Sequence, residues 1–131
     1  EEAYQSLIQD KTIRELLDFI RKARIVVHGI GDAMVMARRR NVDQDTTRSL
    51  QENGALAEAF SYYFDKQGNI IHKMPTLGLR IEDIQNMDAV IGIAGGRSKG
   101  EAIASVLRFG HEDALVTDEA AALEIVKYGS S

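Results

Sequence analysis

An α/β fold, with a Rossmann-like parallel sheet flanked by helices and interrupted by a β-hairpin excursion, is the class this sequence predicts. Three observations carry the prediction. Short apolar runs at residues 24–28, 89–94 and 114–116 read as strands, and the second, rich in Val and Ile, has the composition of a strand covered on both faces. The first two run into glycine turns, Gly29-Ile30-Gly31 and Gly95-Gly96, followed by segments with helix-start signals. Helical patterns alternate with these strands, the rhythm of βαβ units around a parallel sheet. Three parallel strands make a narrow sheet, which suits part of a larger doubly wound domain or a small domain that borrows an edge.

Taken in order, Thr12 and Glu15 have capping-box spacing, and Ile13, Leu16, Leu17 and Ile20 fall on one helical face, ending near Lys22. The strand at 24–28 leads to Asp32, which caps a segment over 33–40 that turns Met34, Met36 and Ala37 inward. Arg38, Arg39 and Arg40 close this helix. They suit the negative end of its dipole, or supply a guanidinium that clamps a phosphate. Residues 44–53 read as a polar helix stopped by Gly54. Glu58 stands among small apolar residues, either with its charge in solvent or accepting hydrogen bonds from a polyol.

Residues 61–64 and 69–72 flank the polar loop 65–68 as a hairpin, and Pro75, the only proline, marks the loop after it. Ile81, Ile84 and Met87 suggest a short helix. The run from Ala89 ends at Gly95-Gly96, where a backbone without Cβ atoms can approach a ligand closely. Ser98 and Glu101 have capping-box spacing and predict a helix over 98–109 with Lys99 on its first turn. Free N–H groups and a helix dipole there suit an anion, and a plain tight turn fits the same residues. Thr117 or Asp118 caps the last helix, through about Lys127.

Composition narrows the function. The chain has 131 residues, a formal charge of −4 and no cysteine, which excludes disulfides, thiolate metal sites and a cysteine nucleophile. With one short basic run, it is a poor nucleic-acid binder on its own. No stretch approaches the roughly 20 apolar residues of a membrane span and no signal-peptide pattern opens the chain, so a cytoplasmic setting is expected. His28, His72 and His111 lack metal-ligand spacing, and no GxSxG elbow, P-loop or GxGxxG is present. No metal and no cofactor is therefore expected. Arg, Lys and Glu without an evident nucleophile favour binding over catalysis, although one placed carboxylate or lysine suffices for an isomerase.

Three groups of residues resemble a known family. They are 27–33 with 38–41; 58–65 with Gly68 and His72-Lys73; and 93–103 with Val116-Thr117-Asp118-Glu119. Together they resemble the sugar-binding domain of the SorC/DeoR-type bacterial transcription regulators, over nearly the whole chain. Within the family they are most similar to regulators of glycolytic genes whose effector is fructose 1,6-bisphosphate. The resemblance implies a fold related to sugar-phosphate isomerases and glucosamine-6-phosphate deaminase. It implies a non-enzymatic sensor whose ligand modulates oligomerisation and operator binding, with a sugar-phosphate isomerase or deaminase as the alternative. It also implies that Lys99 and the Gly95-Gly96 loop contact a phosphate, that Arg39 pairs with a phosphate and that Glu58 takes sugar hydroxyls. Residues 1–131 would then be the C-terminal part of an effector domain, a homo-oligomer reaching operator DNA only through a winged-helix reader that this sequence lacks.

Overall fold

In the computed structural model, which describes residues 2–129, the apolar runs form a parallel sheet. It comprises β1 (Ile25–Gly29), β6 (Ala89–Ile93) and β7 (Ala114–Val116), in the order β1-β6-β7. The register aligns His28, Gly92 and Leu115 in one row across the sheet. Val26 and Leu115 pack partly buried, and Val90 fully buried, against the main core, whereas Ile25, Val27, Ile93 and Val116 on the other pleat are exposed. The helices thus flank the sheet without covering these four positions.

The predicted hairpin is part of something larger. β2 (Gly31–Asp32), β3 (Ala57–Ala59), β4 (Tyr62–Phe64) and β5 (Ile70–Lys73) form an antiparallel sheet in that order. The segment around Glu58 is therefore a buried strand, and the glycine loop after β1 contributes a short one. Gly68 turns the β4–β5 loop at φ +84. A Cβ there would lie 2.6 Å from the Phe109 nitrogen, so the glycine lets the loop lie against the end of a helix.

That helix, α6 (Gly100–Phe109), is buried along most of its length and packs on β2, β3 and a final helix, α7 (Glu119–Gly129). At Gly100 a Cβ would come 2.3 Å from Glu124 Cβ, so glycine sets the α6–α7 approach. Ile30, Ala57, Phe64, Val90, Ile103, Val106 and Ala121 meet in the main core. A smaller one joins Ala33 and Ala37 of α3 (Ala33–Arg39), Leu50 of α4 (Gln44–Glu52) and Tyr63 of β4. Ile81 and Ile84 are buried in the short helix α5 (Ile81–Gln85), as the pattern predicts.

The helix starts differ in detail. An unforeseen α1 (Glu2–Gln9) precedes α2 (Lys11–Arg21), and the cap of α2 is Asp10, which accepts from the Ile13 N–H, in place of Thr12. Asp32 caps α3 as expected, by accepting from the Val35 N–H at 3.0 Å. The Ser98–Glu101 box does not form. Residues Arg97–Lys99 make a 3₁₀ turn, α6 begins at Gly100, and neither start has a side-chain cap. Of the two candidates for the last cap it is Asp118 that accepts, from the Ala121 N–H at 2.8 Å.

Candidate functional site

Beyond the carboxyl end of β1 lies a cavity of about 420 Å³, lined by His28, Gly29, Ile30, Gly31, Met36, Arg40, Glu58, Phe60 and Lys99. The carboxyl ends of strands are where open α/β sheets bind ligands. A larger cavity, about 540 Å³, beside Phe19, Ile25 and Leu79 is apolar apart from Lys22. Converging polar groups, which fix a ligand's orientation, select the first.

Glu58 is the buried charge of this site, 4% exposed. Its Oε1 accepts from Arg40 Nη2 at 3.1 Å and from the Ser61 N–H at 2.8 Å. Arg40 Nη1 also donates to Ser61 Oγ at 3.1 Å, so the guanidinium spans the β3–β4 turn. Glu58 Oε2 has no hydrogen-bond donor among the described residues and remains an open acceptor. Next to it in the sheet, Tyr63 pairs with Glu58 in register, and its buried hydroxyl has no hydrogen-bond partner among the described residues. Burial first, and the Glu58 charge second, push the Tyr63 phenol above its ordinary range, with Arg40 opposing.

Gly31 explains how Met36 lines the same cavity, because a Cβ at that position would meet Met36 Cγ at 2.5 Å. Lys99 reaches the cavity from the end of the 3₁₀ turn, partly buried and without an acidic partner among the described residues.

The structure thus brings together two of the five predicted site residues, Glu58 and Lys99. Arg39, the last residue of α3, is exposed, lies outside the cavity lining and has no partner among the described residues. The guanidinium beside Glu58 belongs to Arg40. Gly95 and Gly96 also stand outside the lining. The Gly96 N–H donates to Asp118 Oδ2 at 2.6 Å, and Gly95 lacks the Cβ that would strike the same oxygen. The turn therefore already holds an anion, the side chain of Asp118. Sequence reasoning did not find the engagement of His28 by Glu112, nor Phe60 on the cavity wall. Among the described residues no cluster of three His, Cys, Asp or Glu stands close enough to hold a metal, and no helix is long and apolar enough to cross a membrane.

A partly open parallel sheet with a cationic, carboxylate-bearing cavity at its carboxyl end defines a small-molecule-binding α/β domain. The chain belongs to the sugar-binding domain family of SorC/DeoR-type transcription regulators: the family model described as "Putative sugar-binding domain" matches residues 1–127. It is 44% identical over 127 residues to the central glycolytic genes regulator of Priestia megaterium, covering 97% of this chain and 37% of that protein. To its Bacillus subtilis counterpart it is 39% identical over 125 residues, covering 95% of this chain and 37% of that protein. A crystal structure described as a "putative SorC family transcriptional regulator" from Enterococcus faecalis superposes with a TM-score of 0.90 at 41% identity, covering 96% of this chain and 51% of that one. The chain thus spans under two-fifths of these curated relatives.

Proposed function

We propose that this chain is the effector-sensing part of a transcriptional repressor of glycolytic genes, and that its cavity binds a phosphorylated sugar, fructose 1,6-bisphosphate, without converting it. The observation that carries the reading is the meeting in one cavity lining of Lys99, a cation without an acidic partner among the described residues, with Glu58, whose Oε2 has no donor among them. A phosphate needs the first and a hydroxyl needs the second. Arg39, exposed at the end of α3 outside the cavity lining and without a partner among the described residues, is assigned the second phosphate, while Arg40 is occupied in fixing Glu58. A phosphate that uses the Gly95-Gly96 turn must displace Asp118 from the Gly96 N–H.

Binding without chemistry fits the surroundings of Glu58. His28 lines the cavity, but one ring nitrogen faces the Gly29 carbonyl and the other Glu112, so it offers no free base. The fraction of the relatives' length matched supports a place within a longer regulator, and this reading makes the chain its C-terminal part, with operator DNA contacted elsewhere in that protein. The ligand acts by favouring one subunit arrangement over another, since equal affinity for both would shift nothing.

The test is calorimetric titration of sugar phosphates and bisphosphates, with product assayed in parallel and particle size followed by light scattering. Saturable binding with a change in assembly and no product supports the sensor. Conversion of the sugar phosphate supports an isomerase or deaminase instead.

A further inference from the structure

We propose that Phe60 is a specificity-determining residue, whose ring packs against the carbon skeleton of the phosphorylated sugar. The inference rests on reading the cavity as a sugar-phosphate site. Its starting point is a backbone outlier. Phe60 and Ser61 form the two-residue turn between β3 and β4, with φ of +56 and +70. Hairpin turns with positive φ normally take Asn or Gly, and a bulky aromatic in that region is strained. Strain of this kind persists only where surrounding contacts hold it, and it collects at ligand sites.

The contacts that hold it are specific. Arg40 and Glu58 pin Ser61 from one side. On the other, the Phe60 ring stacks on His28 with centroids 4.0 Å apart and planes tilted by 33°. His28 is itself fixed by Glu112, with both side chains more than nine-tenths buried. Glu112 fits there because Gly92, beside His28 in the sheet, has no side chain; a Cβ would come 3.1 Å from Glu112 Oε2. That oxygen is buried without a hydrogen-bond partner among the described residues, so part of a carboxylate's solvation has been given up to hold the imidazole.

The result is a phenyl ring that remains only partly buried, while Ala59, Tyr62, Tyr63 and Phe64 around it are fully buried. Phe60, with His28, lines both the 420 Å³ cavity and another of about 300 Å³. In the first it shares the lining with Lys99 and Glu58. A phosphate on Lys99 and a hydroxyl on Glu58 leave the C–H face of a sugar for an apolar partner, which the ring supplies. Inorganic phosphate has no such face.

The experiment compares Phe60→Gly with the unmodified chain, titrating each with fructose 1,6-bisphosphate and with inorganic phosphate. Glycine relieves the positive φ while removing the benzyl group and its stacking on His28. The expected result is a loss of about three- to tenfold for the sugar phosphate, the range of one aromatic contact, with inorganic phosphate unchanged. Phe60→Tyr should restore sugar affinity, and Phe60→Leu, which keeps bulk without the aromatic face, serves as the second variant if the glycine variant unfolds. Equal sugar affinity in the variants overturns the proposal, as does an equal loss for both ligands. If the unmodified chain binds neither ligand, the underlying reading of the cavity fails and takes this one with it.

Discussion

Replacing Glu58 by alanine removes the carboxylate that organises the β3–β4 turn, and the cost can be worked out from its partners. The Ser61 N–H loses a charged acceptor at 2.8 Å while its backbone is held at φ +70. A hydrogen bond to a charged group contributes about 1.5–3 kcal/mol, so this one supplies most of the effect. The ion pair with Arg40 adds less. The guanidinium side is 37% exposed, and solvent screening limits such a pair to about 1 kcal/mol or less. The expected destabilisation is therefore about 3 kcal/mol in total. Urea unfolding followed by circular dichroism measures it, with the m-value checked for constancy. Arg40→Ala should cost about 1–3 kcal/mol, because it leaves the buried Glu58 carboxylate without its cationic partner, and the double variant should cost less than the sum, because each single change removes the same contact. A loss below about 0.5 kcal/mol for Glu58→Ala would show that the buried carboxylate does not hold the turn, and would refute this reasoning.

Three further outcomes follow from the same geometry. Tyr63→Phe deletes a buried hydroxyl that has no partner among the described residues and should be neutral or stabilising by up to about 1 kcal/mol in the same unfolding assay. It should also flatten the alkaline limb: the folded phenol titrates above its ordinary value of 10.0, so stability falls as pH rises past that value, because only the unfolded chain releases the proton there. Asp118→Ala removes both the α7 cap and the anchor of Gly96, and should lower stability by roughly 1–2 kcal/mol; an unchanged melting curve would count against both contacts. Gly68→Ala places a Cβ against the backbone of α6 in a left-handed conformation, and should cost more than about 1 kcal/mol, again read by urea unfolding.

β1 and β6 of the parallel sheet were legible because Val and Ile runs that end at glycine have few other uses, and β7, only Ala114-Leu115-Val116, by its place between two helical patterns. The antiparallel sheet was only half legible. Tyr62-Tyr63-Phe64 announces a strand, whereas Gly31-Asp32 and Ala57-Glu58-Ala59 carry residues that are poor in strands. These become strands because tertiary pairing overrides propensity. The turn between β3 and β4 was invisible for a related reason: Phe60-Ser61 has neither the Asn nor the Gly that marks such turns. At the site, Glu58 and Lys99 stood out by their flanking residues. The choice among three consecutive arginines did not, because each step around a helix turns the side chain by about 100° and the helix end decides which one faces Glu58. Asp118 likewise read as a cap, which it is, with no sign in the sequence that its second oxygen would occupy the Gly96 N–H.

The central claim is that Lys99 holds a phosphate of a bound sugar. It is tested most directly by the affinity of fructose 1,6-bisphosphate for the unmodified protein and for Lys99→Ala, by calorimetry at one fixed salt concentration. The predicted result is saturable binding weakened by about 1.5–3 kcal/mol in the variant, the contribution of a charge-assisted hydrogen bond. Equal affinity in the two proteins would contradict the account and remove Lys99 from the site.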